Sequence, residues 1–139
     1  MNLQRTVLEI PTTGGTDIEN LSADVESFVH SSGVMEGWLL LFVPGSTAGL
    51  TTIEYESGVV NDLRRAIEAM APQEAEYEHN LRWADGNGYS HVRAALMGPS
   101  LALPIIDGRP ATGTWQQIVL CDFDNRPRTR KIHLQVLPS

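Results

Sequence analysis

Apolar positions along this chain recur with a period that switches between 2 and 3.6, and the switches mark its elements. Residues 2–10, NLQRTVLEI, alternate loosely up to Pro11 and predict a first strand. A turn follows at 12–16, punctuated by Gly14-Gly15. Ile18, Leu21, Val25, Phe28 and Val29 then recur at helical spacing, with Asp17 placed to cap the start and Gly33 to end it. The run EGWLLLFV at 36–43, bounded by Gly33 and Pro44, predicts a strand buried on both faces. LTTIEYE at 50–56 alternates, with Thr51, Ile53 and Tyr55 on one face and Thr52, Glu54 and Glu56 on the other.

A second amphipathic helix is predicted over Val59 to Met70, with Val59, Leu63, Ile67 and Met70 inward and Pro72 beyond its end. The segment 77–90 is too rich in charge, glycine and aromatics to predict a regular element. Ser90 suits the N-cap of a short helix at 92–97, with Val92, Ala95 and Leu96 inward and His91 at its first position. Three strands are predicted after Pro99: 101–106, closed by an Asp107-Gly108 turn, then 114–123 and 129–137, joined by the turn residues DNRP. This order predicts a single α+β domain over residues 1–139. Its core is a mostly antiparallel β-sheet with two main amphipathic helices and one short one, and one sheet face is left for a partner subunit.

Composition narrows the function classes. A chain of 139 residues fits one domain, which hides roughly two-thirds of its unfolded surface. The net charge of −7 leaves no basic patch of the size that nucleic acid requires, although small anions can still meet a local cluster of donors. Cys121 is the only cysteine, so no internal disulfide forms, and its mid-strand setting predicts a buried, inert thiol. No basic-then-apolar leader opens the sequence and no apolar run approaches about 18 residues, so the expectation is a cytoplasmic protein without membrane spans.

The candidate chemistry lies between Tyr77 and Ser100. His79 and His91 bracket Asp85, and Trp83 and Tyr89 flank the turn DGNG. Imidazole and carboxylate are the usual ligands of zinc and its neighbours. The spacing matches no zinc motif, so a metal or catalytic role stands beside two hydrogen-bonded structural histidines. An EF-hand fails, because its fifth and twelfth positions would be Tyr89 and Leu96. The loop PGSTAG at 44–49 is built of small and hydroxyl residues, as in anion-binding concavities, and serves equally as a plain strand connection. It has neither a Walker lysine nor the G-x-S-x-G of a nucleophile elbow.

Three segments carry a resemblance: FVPGSTAGLTTIEYE, then YEHNLRWADGNGYSHVRAALMGPSLALP, then DGRPATGTWQQIVLCDFDNRPRTRKIHLQV. Together they resemble the YjbQ family, whose members are often described as secondary thiamine-phosphate synthases. The resemblance implies an α+β domain assembled as a homotrimer, with a divalent metal (zinc or magnesium) near subunit interfaces. It also implies a reaction joining a pyrimidine diphosphate to a thiazole phosphate with release of pyrophosphate. By position, His79 and His91 correspond to two of the family's site histidines and are the expected metal ligands. Asp85, Glu54 and Arg93 are the expected catalytic groups, and Gly45, Ser46, Thr47, Trp115 and Gln116 the expected ligand-binding ones.

One departure stands out. Many members carry a histidine where this chain has Gly45, so Asp85, Glu54, water or a neighbouring subunit would have to complete the metal's shell. Arg82, Arg93 and Arg109 are the cations on hand for a departing pyrophosphate, with the PGSTAG amides as further donors. The contrasting reading is a trimer that binds metal or a small phosphorylated ligand with little catalysis.

Overall fold

The computed structural model describes residues 2–139. The order is β1 (Gln4–Thr12), β2 (Asp17–Asn20), α1 (Ser22–Ser32), β3 (Gly37–Phe42), β4 (Ala48–Glu54), α2 (Ser57–Met70), α3 (Glu78–Trp83), α4 (Gly88–Met97), β5 (Ser100–Ile106), β6 (Arg109–Pro110), β7 (Gln116–Asp122) and β8 (Arg128–Pro138). Five strands form one antiparallel sheet in the order β1-β8-β3-β5-β6, and three form a second in the order β2-β7-β4. The α+β class and the antiparallel core are as the sequence predicts.

Alternation along β7 explains the layering. Ile118 and Leu120 point to one core, with Leu39 and Leu41 of β3, Ile132 and Leu134 of β8, and Val25 and Val29 of α1. Val119 and Cys121, with the following Phe123, point to another, closed by Val60 and Ile67 of α2 and Ala94 of α4. The large sheet, the small sheet and the helices α2 and α4 therefore stack as three layers, with α1 packed into the first core. β7 is the strand buried on both faces.

That role was expected of 36–43 and does not fall there. In β3, Leu39 and Leu41 are fully buried, whereas Trp38, Leu40 and Phe42 are 56%, 41% and 41% exposed. The run is apolar on both faces because its second face is a surface of the molecule. Two other expectations shift. Asp17 and Ile18 belong to β2, where Ile18 opposes Cys121; Asp17 accepts from the Thr13 amide instead of capping α1. Pro11 does not end β1 but pairs with Thr129, which a proline tolerates on an edge strand because the missing N–H faces no partner. Gly33 does end α1, at φ 72°. Among the described residues, no helix is long and apolar enough to cross a membrane.

The largest difference lies at 77–97. The charged stretch expected to be irregular forms α3, and α4 begins at Gly88, with Asn87 at its N-cap. The earlier start changes the buried face. Tyr89, Ser90, Arg93 and Ala94 point inward, while Val92, Ala95 and Leu96 point out. Ser90 is a buried hydroxyl donating to Asn87 O, not a cap, and His91 sits in the first turn's last position. In α2 the inward residues are Val60 and Ile67, with Leu63 partly buried; Met70 is exposed. Glu56 caps this helix by accepting from the Gly58 and Val59 amides, which fixes its start ahead of the expected Val59.

Candidate metal centre

α3 and α4 fold back on each other through Ala84, Asp85, Gly86 and Asn87, a turn with left-handed Ala84 (φ 54°) and Gly86 (φ 68°). The two helices meet closely at Gly88. A Cβ there would stand 2.6 Å from Tyr77 Cβ, so only glycine fits. Asn80 Oδ1 accepts from the Gly88 amide at 2.9 Å, tying the two helix starts together.

This hairpin brings His79 and His91 edge to face, with ring centroids 4.5 Å apart and planes at 71°. Both carboxylate oxygens of Asp85 lie 3.0 Å from His79 Nε2. One ligand atom from each of His79, Asp85 and His91 lies within 4.8 Å of the others. The hydrogen bond from His79, then that from the Asn87 amide, holds the Asp85 carboxyl below its ordinary value, so it is an anion at neutral pH. Asp85 is further held by Asn125 Nδ2, which donates to its carbonyl at 2.9 Å.

His91 Nδ1 lies 3.0 Å from Ser46 O. A carbonyl only accepts, so Nδ1 carries a hydrogen, and in the neutral ring the lone pair is on Nε2. Metal-binding histidines are commonly oriented in this way, through a bond from the second ring nitrogen to a backbone carbonyl. A tetrahedral ion with bonds of about 2.0–2.2 Å sets its ligand atoms roughly 3.4 Å apart, so side-chain shifts of about an ångström would complete a three-ligand shell. Two imidazoles and one carboxylate suit zinc and its transition-metal neighbours; magnesium takes oxygen ligands and suits this set poorly.

Two open grooves meet at His79. One, about 580 Å³, is lined by Ser46, Tyr77, Glu78, His79, Gly88, His91 and Val92. The other, about 700 Å³, is lined by Glu78, His79, Leu81, Arg82 and Trp83. Arg82 is therefore the expected cation that reaches this region.

The remaining expected residues are placed elsewhere or turned away. Arg93 is buried, donating to Ala71 O and Thr16 Oγ1, paired with Glu68 and stacked over the Tyr89 ring at 4.8 Å. Its hydrogen bonds are spent inside the fold. Glu54 opposes Gln116 at one end of the β4–β7 pair, whereas Ala48 and Asp122 mark the end nearest Ser46. Six residues of strand separate the two ends, roughly 20 Å. Gln116 donates to Thr52 Oγ1 and accepts from the Gly113 amide, and Trp115 is 74% exposed beside it. Glu54, Trp115 and Gln116 thus do not meet the histidines within one chain. Arg109 lies in β6, at the edge of the large sheet.

Gly45 has φ +111°, and a Cβ built there would stand 3.3 Å from Arg130 Nη1. A histidine at this position would start toward that buried guanidinium on a strained backbone, which argues against Gly45 as the place of a lost ligand here. Thr47 is buried, donating from Oγ1 to Asp124 at 2.9 Å and accepting from Arg130 Nη2 at 2.6 Å.

A group that sequence reasoning missed supports the centre from beneath. Asp124, fully buried, also accepts from Asn87 Nδ2 at 3.3 Å and from Arg128 Nε at 3.0 Å. Arg130 forks onto Asp122 at 2.7 and 2.8 Å, and Thr12 donates to the same carboxylate at 2.5 Å. The two acids and two arginines alternate as D-x-D and R-x-R around the turn at 124–127, and that alternation is the signal that was readable only as turn chemistry.

Known proteins of the same kind share this architecture. The family described as "UPF0047 protein YjbQ-like" matches residues 6–139. A UPF0047 protein of Methanothermobacter thermautotrophicus is 34% identical over 129 residues, covering 93% of this chain and 88% of the relative. UPF0047 protein YugU of Bacillus subtilis is 31% identical over 131 residues, 94% and 96% of the two chains. Among solved structures, a YbjQ-like protein of unknown function from Sulfolobus solfataricus P2 superposes with a TM-score of 0.89 at 27% identity, covering 99% of this chain and 100% of its own. A protein of the yjbq/upf0047 family from Clostridium acetobutylicum gives 0.84 at 30% identity, with 96% and 99% covered. The chain belongs to the UPF0047, YjbQ-like family.

Proposed function

We propose that His79, Asp85 and His91 form the metal centre of an enzyme acting on a small phosphorylated ligand. The observation that carries this reading is the pairing of His91 Nδ1 with Ser46 O, which leaves Nε2 free beside His79 and an ionised Asp85. A zinc-type ion held there would act as a Lewis acid and neutralise charge building on a phosphoryl oxygen. Ser46 orients His91, His79 Nε2 and Asp85 share a hydrogen that the ion would replace, and Arg82 at the groove adds a cation for the ligand's outer charge. The transfer that the family resemblance implies, joining a pyrimidine diphosphate to a thiazole phosphate, is the specific form of this chemistry. Binding without transfer is the second reading, favoured by the engagement of Arg93 inside the fold.

Metal-stripped and zinc-loaded protein assayed with both precursors separates the two. Product formed only by the loaded protein supports the transferase. Zinc binding without product supports the binding reading, and failure to bind zinc removes the metal centre from both.

The assembly proposed is a homotrimer. Trp38, Leu40 and Phe42 form an exposed apolar row on the outer face of the large sheet, where Leu137 opposes Trp38. Apolar surface of this kind, contiguous across strands, marks an interface. A second copy is the occupant that the family resemblance implies.

A further inference from the structure

Arg130 has a guanidinium nitrogen that its fold does not use. The side chain is only 10% exposed, with Nε and Nη2 forked onto Asp122 and Nη2 also donating to Thr47. The planar fork points Nη1 away from that carboxylate, and among the described residues no acceptor takes its hydrogens. What lies in front of Nη1 is Gly45. At the position of the missing Cβ, Nη1 is 3.3 Å away, and no other heavy atom beyond the flanking residues comes within 4 Å. The glycine is an opening onto a buried cation.

The same loop offers further donors. Among the described residues, the amide hydrogens of Gly45, Ser46 and Thr47 meet no acceptor in the chain. Successive free amides around a residue of positive φ form a concavity that suits an oxyanion. Charge permits it, since Asp122 and Asp124 are already balanced by Arg128 and Arg130. Ser46 links the place to the metal centre, because its carbonyl holds His91.

We infer that Arg130 Nη1 and the amides of Gly45, Ser46 and Thr47 form a phosphate subsite, entered past Gly45, for the phosphate end of a small ligand. The inference rests on the reading of His79, Asp85 and His91 as the neighbouring functional centre. It gives the glycine a purpose: a side chain at 45 would close the opening.

The test is a titration of metal-free, isotope-labelled protein with inorganic phosphate at constant ionic strength, followed by amide nuclear magnetic resonance. The expected result is a saturable shift of the Gly45, Ser46 and Thr47 amide signals. Arg130→Lys should weaken it at least about tenfold. Gly45→Ala, whose added Cβ would stand 3.3 Å from Nη1 and narrow the opening, should do the same. Should Arg130→Lys fail to fold, the wild-type titration and Gly45→Ala decide. Unmoved amides in the wild type overturn the subsite, as do shifts that survive both substitutions. Shifts that need zinc and vanish in His91→Ala assign the anion to the metal, overturning the subsite while leaving the metal centre standing. Shifts in protein that never binds zinc keep the subsite and overturn the metal reading.

Discussion

Thr47 Oγ1 donates to the buried Asp124 carboxylate at 2.9 Å, joining the loop behind His91 to the end of β7. Asn87, one turn before His91, donates to the other oxygen of the same carboxylate. One acid therefore holds both segments that place His91, from the side away from the grooves. Asp124→Ala should destabilise the fold by about 3–5 kcal/mol, because it leaves Thr47, Asn87 and Arg128 without the buried acceptor they share. Denaturant melts against the wild type measure this; a loss under about 1 kcal/mol would deny Asp124 that role.

Zinc affinity tests the centre directly. His79→Ala and His91→Ala should each weaken binding by about 100-fold or more, and Asp85→Asn by about 10- to 100-fold. Competition with a chelating dye reads the constants. Wild-type affinity in both histidine variants would show that the ion sits elsewhere.

Acid should weaken the protein through Asp122 and Asp124. Burial alone would raise both carboxyls. The bonds from Arg130 and Thr12 to Asp122, and from Thr47 and Arg128 to Asp124, outweigh it and hold both below the ordinary value. A carboxyl lowered on folding contributes stability above its unfolded pKa of about 4, and loses it as pH falls through the folded value. Melting temperature should thus stay level from pH 7 to about 5 and fall steeply below about 4. A curve flat to pH 2.5 would mean that these acids are not charged in the fold.

Gly45→His is expected to leave zinc affinity within a few-fold of wild type and to lower stability by about 1–3 kcal/mol, through strain at a positive φ. Calorimetry on the purified variant gives both values. A marked gain in zinc affinity would restore the account in which this position has lost a ligand.

Cys121 should resist thiol reagents in the native state. It is wholly buried, and burial pushes its thiol up to about 12. Colour development with a disulfide reagent at pH 8 should wait for denaturant; rapid native reaction would mean that the core around Val119 and Phe123 opens.

Much of this was readable from periodicity, and the misses have physical causes. The strands after Pro99 and the ends of α1 and α2 follow local rules of turns, glycine and proline, so they were placed to within a few residues. β3 misled because apolar residues on a surface face and on a core face look alike in sequence. The α3–α4 hairpin was hidden by composition: the charges of α3 fill its outer face, and the tight packing depends on Gly88 against Tyr77, a contact between residues of unlike type. His79, Asp85 and His91 were visible as residue types, but their meeting depends on that contact. The burial of Arg93 was not visible, because its partners come from two separate places, Thr16 ahead of β2 and Glu68 and Ala71 at the end of α2.

β8 lies between β1 and β3, and β1 pairs with β8 alone. Thr12 meets Arg128 across 116 residues of chain. During synthesis β1 emerges with no partner, and it must wait until β8, after all the elements between them, has left the ribosome. Until then Leu8 and Ile10 remain uncovered, along with the β3 edge that β8 will occupy. Such long-range closure is slow compared with local contacts and leaves strand edges open to other chains. Folding yield in cells should therefore depend on how quickly the last strand arrives, more than on the stability of the finished protein.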